Sequence, residues 1–139
     1  MKSGVKILIV DDDLDFVEIS KLSLEKQGYE VQSAPNAKEG WKRVGKEKPD
    51  LIILDLMMEH LDAGMLLSQK LKKHPEYSSI PILMLTSMAC DTGLDFSPRT
   101  IRDLKQLNVD DFSMKPIKAK ALLEKVGKLL ALRSRPGRT

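Results

Sequence analysis

At 139 residues and 42% apolar content, the chain has the length of one domain with one core and the composition of an ordinary globular protein. Its 23 basic and 20 acidic residues leave a formal charge of +3, too small to require a nucleic-acid partner, and 4% aromatic residues argue against a base-stacking surface. The single cysteine, Cys90, excludes an internal disulfide or a cysteine metal cage, and with no apolar run long enough for a signal peptide or membrane span the expectation is a soluble, cytoplasmic protein.

Gly4 to Val10 (GVKILIV) is a mostly apolar run that meets Asp11, Asp12 and Asp13, a first buried strand ending in negative charge. Leu14 to Gln27 has helix-compatible composition, and Gly28 stands where a helix commonly ends. Tyr29 to Ser33 alternates apolar and polar residues, as an edge strand does. Asn36 with Glu39 three residues later resembles a capping box and starts a second helix that carries Trp41 and Val44 and is expected to end at Gly45. Trp41 is expected to bury its ring against the sheet.

Leu51 to Leu54, entered through Pro49 and Asp50, is an unbroken apolar segment covered on both faces, and Asp55 follows at once. A loop, MMEHLDAG, leads to a helix from about Ala63 to Lys73, and Ile80 to Leu85 forms a fourth strand that ends in Thr86 and Ser87. The irregular stretch from Met88 to Pro98 is long for a strand-to-helix connection. A helix from about Arg99 to Leu107 and a short strand from Val109 to Met114 precede Lys115 and Pro116. The last helix repeats Leu122, Leu123, Val126, Leu129 and Leu130 at helical spacing, with Lys118, Lys120, Lys125 and Lys128 largely off that face. Residues 1–132 therefore read as one domain and 133–139 as a basic, disordered tail. Five strands alternating with five helices give an α/β fold, a doubly wound parallel sheet.

Four strands end in residues that can share one site: Asp11 and Asp12, Asp55, Thr86, and Lys115. In an open parallel sheet, chemistry collects at the carboxyl ends of the strands. Clustered carboxylates repel and need a cation, and an oxygen-only set without Cys or His favours Mg²⁺ or a similar hard ion such as Mn²⁺. A hydroxyl and an ammonium beside that ion complement the oxygens of a phosphoryl group. Each residue alone has a plainer reading: the aspartates as helix caps, Thr86 as a turn residue, Lys115 as solvated. Their joint placement at one end of one sheet favours the shared site.

VDDD, LDLMM, LTS and DDFSMKPI, in that order and on those strands, resemble the motifs of the receiver domain of two-component response regulators, the CheY-like family with its flavodoxin-like fold. The resemblance spans roughly Val5 to Leu130. It implies a phosphoprotein of bacterial-type signalling, not an enzyme acting on other substrates. A stand-alone receiver in a phosphorelay would take a phosphoryl group on Asp55 from a sensor histidine kinase or phosphotransfer protein and so form a phosphoaspartate. Asp12 would hold magnesium directly, Asp11 through water, with Asp55 and the backbone carbonyl of Met57 as further ligands. Lys115 would pair with Asp55 or its phosphoryl group, across a cis peptide to Pro116. Thr86 and Phe112 would be the switch pair, biasing a surface built from the helix at 99–107, the fifth strand and the last helix, where a downstream protein target binds. The chain would be a monomer or a phosphorylation-dependent dimer.

Some residues depart from the family pattern. Glu59 and His60 replace the usual Pro and Gly of the loop after the phosphoacceptor, and Ala63 stands at a usual Gly. The segment at 88–98 looks long and is expected to shape partner choice. Met57 and Met88, two residues beyond Asp55 and Thr86, cannot position water, so slow self-dephosphorylation is expected. His60 and His74 have no partners at metal spacing and read as solvated. The rival function is a haloacid-dehalogenase-like phosphatase with Asp11 and Asp13 as its D-x-D pair, which leaves Asp55 idle. A third reading is a receiver fold kept as a phosphorylation-independent binding module. If these 139 residues are the whole protein there is no space for a DNA-binding or catalytic output domain, and the output is expected to be a protein contact; the alternative is that the basic tail begins a linker within a longer protein.

Overall fold

A computed structural model describes residues 5–55, 63–86, 110–114 and 117–133. Its elements in chain order are β1 (Lys6–Val10), α1 (Leu14–Lys26), β2 (Glu30–Ala34), α2 (Ala37–Glu47), β3 (Leu51–Asp55), α3 (Ala63–Lys73), β4 (Ile82–Thr86), β5 (Asp111–Met114) and α4 (Ala119–Arg133). The strands form one parallel sheet in the order β2-β1-β3-β4-β5. This is the doubly wound arrangement expected from the apolar runs. The helix expected at about 99–107, and the segment at 88–98, lie outside the described residues.

The pleat sorts each strand's side chains onto two faces, and in this sheet both are covered. Ile7, Ile9, Leu51, Ile53, Leu83 and Leu85 pack under α1 and α4, against Val17, Leu24, Leu122, Val126 and Leu129. Leu8, Val10, Ile52, Leu54, Ile82 and Met84 turn the other way, against Val44, Leu67 and Leu71 of α2 and α3. Full burial of each such side chain is worth about 1.5–3 kcal/mol. A one-residue register slip in β1 or β3 would therefore exchange the partners of every buried side chain in that strand.

The local signals set most of the helix ends. Asp13, not a later residue, is the N-cap of α1, accepting from the Phe16 N–H at 3.2 Å. Gly28 follows the C-cap Gln27 with φ 93°, a left-handed conformation open to a residue without Cβ. Asn36 caps α2 through the Glu39 N–H at 2.8 Å. α2 then runs past Gly45 to Glu47, and Lys48 turns the chain in the left-handed conformation immediately before Pro49. The sequence expectation of an end at Gly45 is not met: that glycine lies inside the helix, where a Cβ would sit 3.3 Å from the Tyr77 hydroxyl. At the other end, α4 continues through Arg133, one residue beyond the expected domain boundary.

Trp41 lies only half against the sheet. Its ring meets the edges of His74 and Tyr77 at centroid distances of 5.9 and 5.7 Å, and Lys70 Nζ stands 4.3 Å from the ring centre. His74, expected to be solvated, stacks on Tyr77 at 4.0 Å and accepts the Glu76 N–H through Nδ1.

Candidate functional site

Strand order decides where the site falls. β1 has β2 on one side and β3 on the other, so the connections leaving β1 and β3 diverge to opposite faces and open a crevice at their carboxyl ends. Asp11 stands one residue past β1 and Asp55 is the last residue of β3, its Cα in register with Leu85 of β4. Asp11 is 1% exposed and Asp55 5% exposed, while Asp12 faces solvent.

Asp11 is held by its backbone and by a turn. Its N–H donates to the Ala34 carbonyl at 3.0 Å, extending the β1–β2 ladder, and its Oδ1 accepts the Asp13 N–H at 2.9 Å. The same turn sends Asp13 to the helix, where it caps α1. The D-x-D reading thus loses its second acid: one aspartate stays in the crevice and the other serves the helix.

One ligand oxygen from each of Asp11, Asp12 and Asp55 can be chosen so that all three lie within 4.8 Å of one another. Three carboxylates this close repel, and two of them have little water to spread their charge. The residues fit a hard divalent ion, since the donor set is all oxygen, it is built at a sheet end, and its most solvent-accessible member, Asp12, offers an entry side.

The other expected site residues divide by position. Thr86 ends β4, opposite Met114 of β5, one step beyond the Leu85–Asp55 pair, so its backbone is at the same end of the sheet. Phe112 pairs with Met84 inside β5. Met57, Lys115 and Pro116 lie outside the described residues, as do Glu59, His60 and Met88.

Two acids that open the DDFSMKPI motif, and to which no role was assigned, fix the strand leading to this end. Asp110 Oδ2 accepts the Ile82 N–H at 2.8 Å and Lys72 Nζ at 3.1 Å. Asp111 pairs with Lys125 of α4 at 3.1 Å. The entry to β5 is therefore tied to α3 on one face and to α4 on the other. The only sequence signal was the doubled acid, which has no spacing rule to a lysine so far away.

The sequence matches the family of the response regulator receiver domain over residues 7–127. The chain belongs to the response regulator receiver domain family. It is 34% identical over 128 residues to the DNA-binding dual master transcriptional regulator RpaA of Synechocystis, and 36% identical over 125 residues to the alkaline phosphatase synthesis transcriptional regulatory protein PhoP of Bacillus subtilis. Both matches cover 90% of this chain but 48% of the relative, so the receiver spans about half the length of these curated relatives. Among solved structures, the CheY-like receiver domain protein from Methanospirillum hungatei is similar with a TM-score of 0.82 at 29% identity, over 97% of this chain and 100% of that one. The receiver domain of a signal transduction histidine kinase from Syntrophus aciditrophicus gives 0.81 at 32% identity, over 98% of this chain and 97% of that one. As a receiver, this protein belongs to two-component phosphorelay signalling. No helix among the described residues is long and apolar enough to cross a membrane.

Proposed function

We propose that Asp55 is the phosphoacceptor through which this receiver takes part in the relay. The observation that carries the reading is the placement of Asp55: buried at the end of a central strand, yet with its carboxylate within 4.8 Å of the Asp11 and Asp12 ligand atoms at the crevice. A carboxylate oxygen of Asp55 attacks phosphorus, and a P–O bond forms as the P–N bond of a donor phosphohistidine breaks. The electron pair leaves on the imidazole nitrogen. The product is an acyl phosphate on Asp55.

Asp12 and Asp55 would hold Mg²⁺ or Mn²⁺ directly, Asp11 through water, and the Met57 carbonyl would add a ligand; when bound, the ion supplies positive charge for the phosphoryl oxygens. Asp11, kept in place by the Asp13 N–H, orients the acid pair. Lys115 acts as a point charge toward the phosphoryl group, and Thr86 as a hydrogen-bond donor. In this reading Thr86 and Phe112 form the switch. The receiver extends through Arg133, the last residue of α4, in place of the boundary at 132. Apart from its own phosphotransfer and slow dephosphorylation the protein does no catalysis. Its partners are a histidine kinase or phosphotransfer protein and a downstream protein that binds the segment at 99–107, β5 and α4.

Phosphotransfer from candidate kinases, read on wild type and Asp55→Asn with acid-lability of the label, tests the assignment. Label on the wild type and none on Asp55→Asn is expected; retained label on the variant places the acceptor elsewhere.

A further inference from the structure

The face opposite α1 and α4 carries a feature that phosphotransfer does not use. α3 contains no acidic residue, and the two acids of α2 are already engaged, Glu39 with Lys42 at 3.8 Å and Glu47 with Arg43 at 3.8 Å and Lys6 at 4.0 Å. Lys38, Lys46, Lys48, Lys70 and Lys73 are all exposed on these two helices and the α2 C-cap, giving a local excess of positive charge. Between the helices lies the ring cluster of Trp41, His74 and Tyr77. Tyr77 in turn lines a cavity of about 330 Å³ with Lys48, Pro49, Glu76 and Ile80. The run from Lys70 over Trp41 to Tyr77, and on into a mainly apolar hollow with Lys48 at its side, is continuous.

We propose that this α2–α3 face docks an acidic segment of a partner protein, with carboxylates on the lysines and one aliphatic side chain in the cavity beside Tyr77. Charge complementarity sets the sign of the partner. The size and lining of the cavity set the anchor, since Pro49, Ile80 and the Tyr77 ring offer apolar surface for a leucine or isoleucine. Glu76 repels a carboxylate inside the hollow, so the acids must lie outside it, toward Lys48 and Lys70. A single-stranded nucleic acid fits less well: base stacking needs open ring faces, whereas His74 and Tyr77 stack on each other and Lys70 covers Trp41.

Trp41 is the only tryptophan in the chain, so its emission reports directly from the proposed surface. The test titrates the full chain with a short synthetic peptide alternating Glu and Leu, beside an all-Glu peptide, a Lys/Leu peptide and a single-stranded oligonucleotide. A saturable change in Trp41 emission with Glu/Leu is expected, and binding about tenfold weaker for Lys46→Glu/Lys70→Glu, an amount that two exposed charge reversals can supply. Both residues are exposed and outside the phosphoryl site, so phosphorylation of that variant should be unchanged, and the variant should gain affinity for the Lys/Leu peptide. Equal binding of Glu/Leu by the double variant, or equal affinity for the all-Glu peptide, would overturn the proposal. So would tighter binding of the oligonucleotide, or an emission change that follows self-association of the chain in place of peptide binding.

Discussion

Lys72 and Asp110 stand 38 positions apart in sequence and 3.1 Å apart in the fold. The lysine also donates to the carbonyls of Ser78 at 3.2 Å and Ile80 at 2.9 Å, so one ammonium, with its side chain only 12% exposed, closes the turn after α3 and ties it to β5. Lys72→Ala should lower stability by about 1–3 kcal/mol, the cost of removing one partner from charged hydrogen bonds that are partly shielded from water. Lys72→Met should lose nearly as much despite its length. Urea denaturation of both variants measures this; a loss confined to Lys72→Ala would point to the aliphatic stem in place of the ammonium.

Gly40 allows α2 to lie close on the end of β1. A Cβ at this position would stand 2.9 and 3.0 Å from the Val10 methyls and 3.3 Å from Leu67 Cδ2. Gly40→Ala gains about 1 kcal/mol of helix propensity but forces core atoms apart at a cost of about 1–3 kcal/mol. A net loss is expected, with part of it recovered in Gly40→Ala/Val10→Ala, so that a double-mutant cycle shows coupling. Because Val10 immediately precedes Asp11, Gly40→Ala should also weaken Mg²⁺ binding.

Lys48 holds φ 49° at the end of α2, where side chains with a Cβ are disfavoured. Lys48→Gly is expected to raise stability by about 0.5–1 kcal/mol, since relief of the left-handed strain exceeds the added freedom of the unfolded chain. A thermal melt at matched ionic strength checks it. Lys48→Ala, which removes the charge but keeps the Cβ, should show no such gain.

The carboxylate group makes a metal-linked prediction. With chelator present, Asp12→Asn should be slightly more stable than wild type, because it removes one of three mutually repelling charges on the solvent side. Magnesium at a hundred times its dissociation constant should stabilise the wild type by about 2.7 kcal/mol and the variant much less. Calorimetric melts with and without the ion decide it, and equal stabilisation of both proteins would remove Asp12 from the ligand set.

Phosphoryl lifetime tests the two methionines. If Met57 and Met88 keep water from the acyl phosphate, Met57→Asn and Met88→Glu should each shorten the lifetime of labelled protein. An unchanged decay rate in both would assign these side chains to packing alone.

The elements legible in the sequence are those whose cause is local. The run Leu51–Leu54 followed by Asp55, the Gly28 stop and the Asn36 cap each announce a physical need within a few residues, and each lies where expected. The acids of the site could be read because each closes an apolar run, and sheet topology then brings Asp11, Asp12 and Asp55 together. Features caused by distant neighbours were not legible. Gly45 does not end α2; its missing Cβ leaves room for the hydroxyl of Tyr77, far along the chain. Trp41 packs only partly on the core as expected, because its ring also meets His74 and Tyr77 beyond the end of α3, and that same contact takes His74 partly out of the solvent. The pairing of Asp110 with Lys72 and of Asp111 with Lys125 has no signature in composition or spacing.

The central position of β1 and β3 also bears on how the crevice fluctuates. Each is hydrogen-bonded to a strand on both sides, and their core residues have essentially no exposure. Amides in such strands exchange with solvent deuterium only through the largest openings of the fold. The floor beneath Asp11 and Asp55 should therefore be among the last regions to exchange, while β2 and β5, at the rims of the sheet, open sooner. Ion or phosphoryl capture would then take place over a base that stays closed.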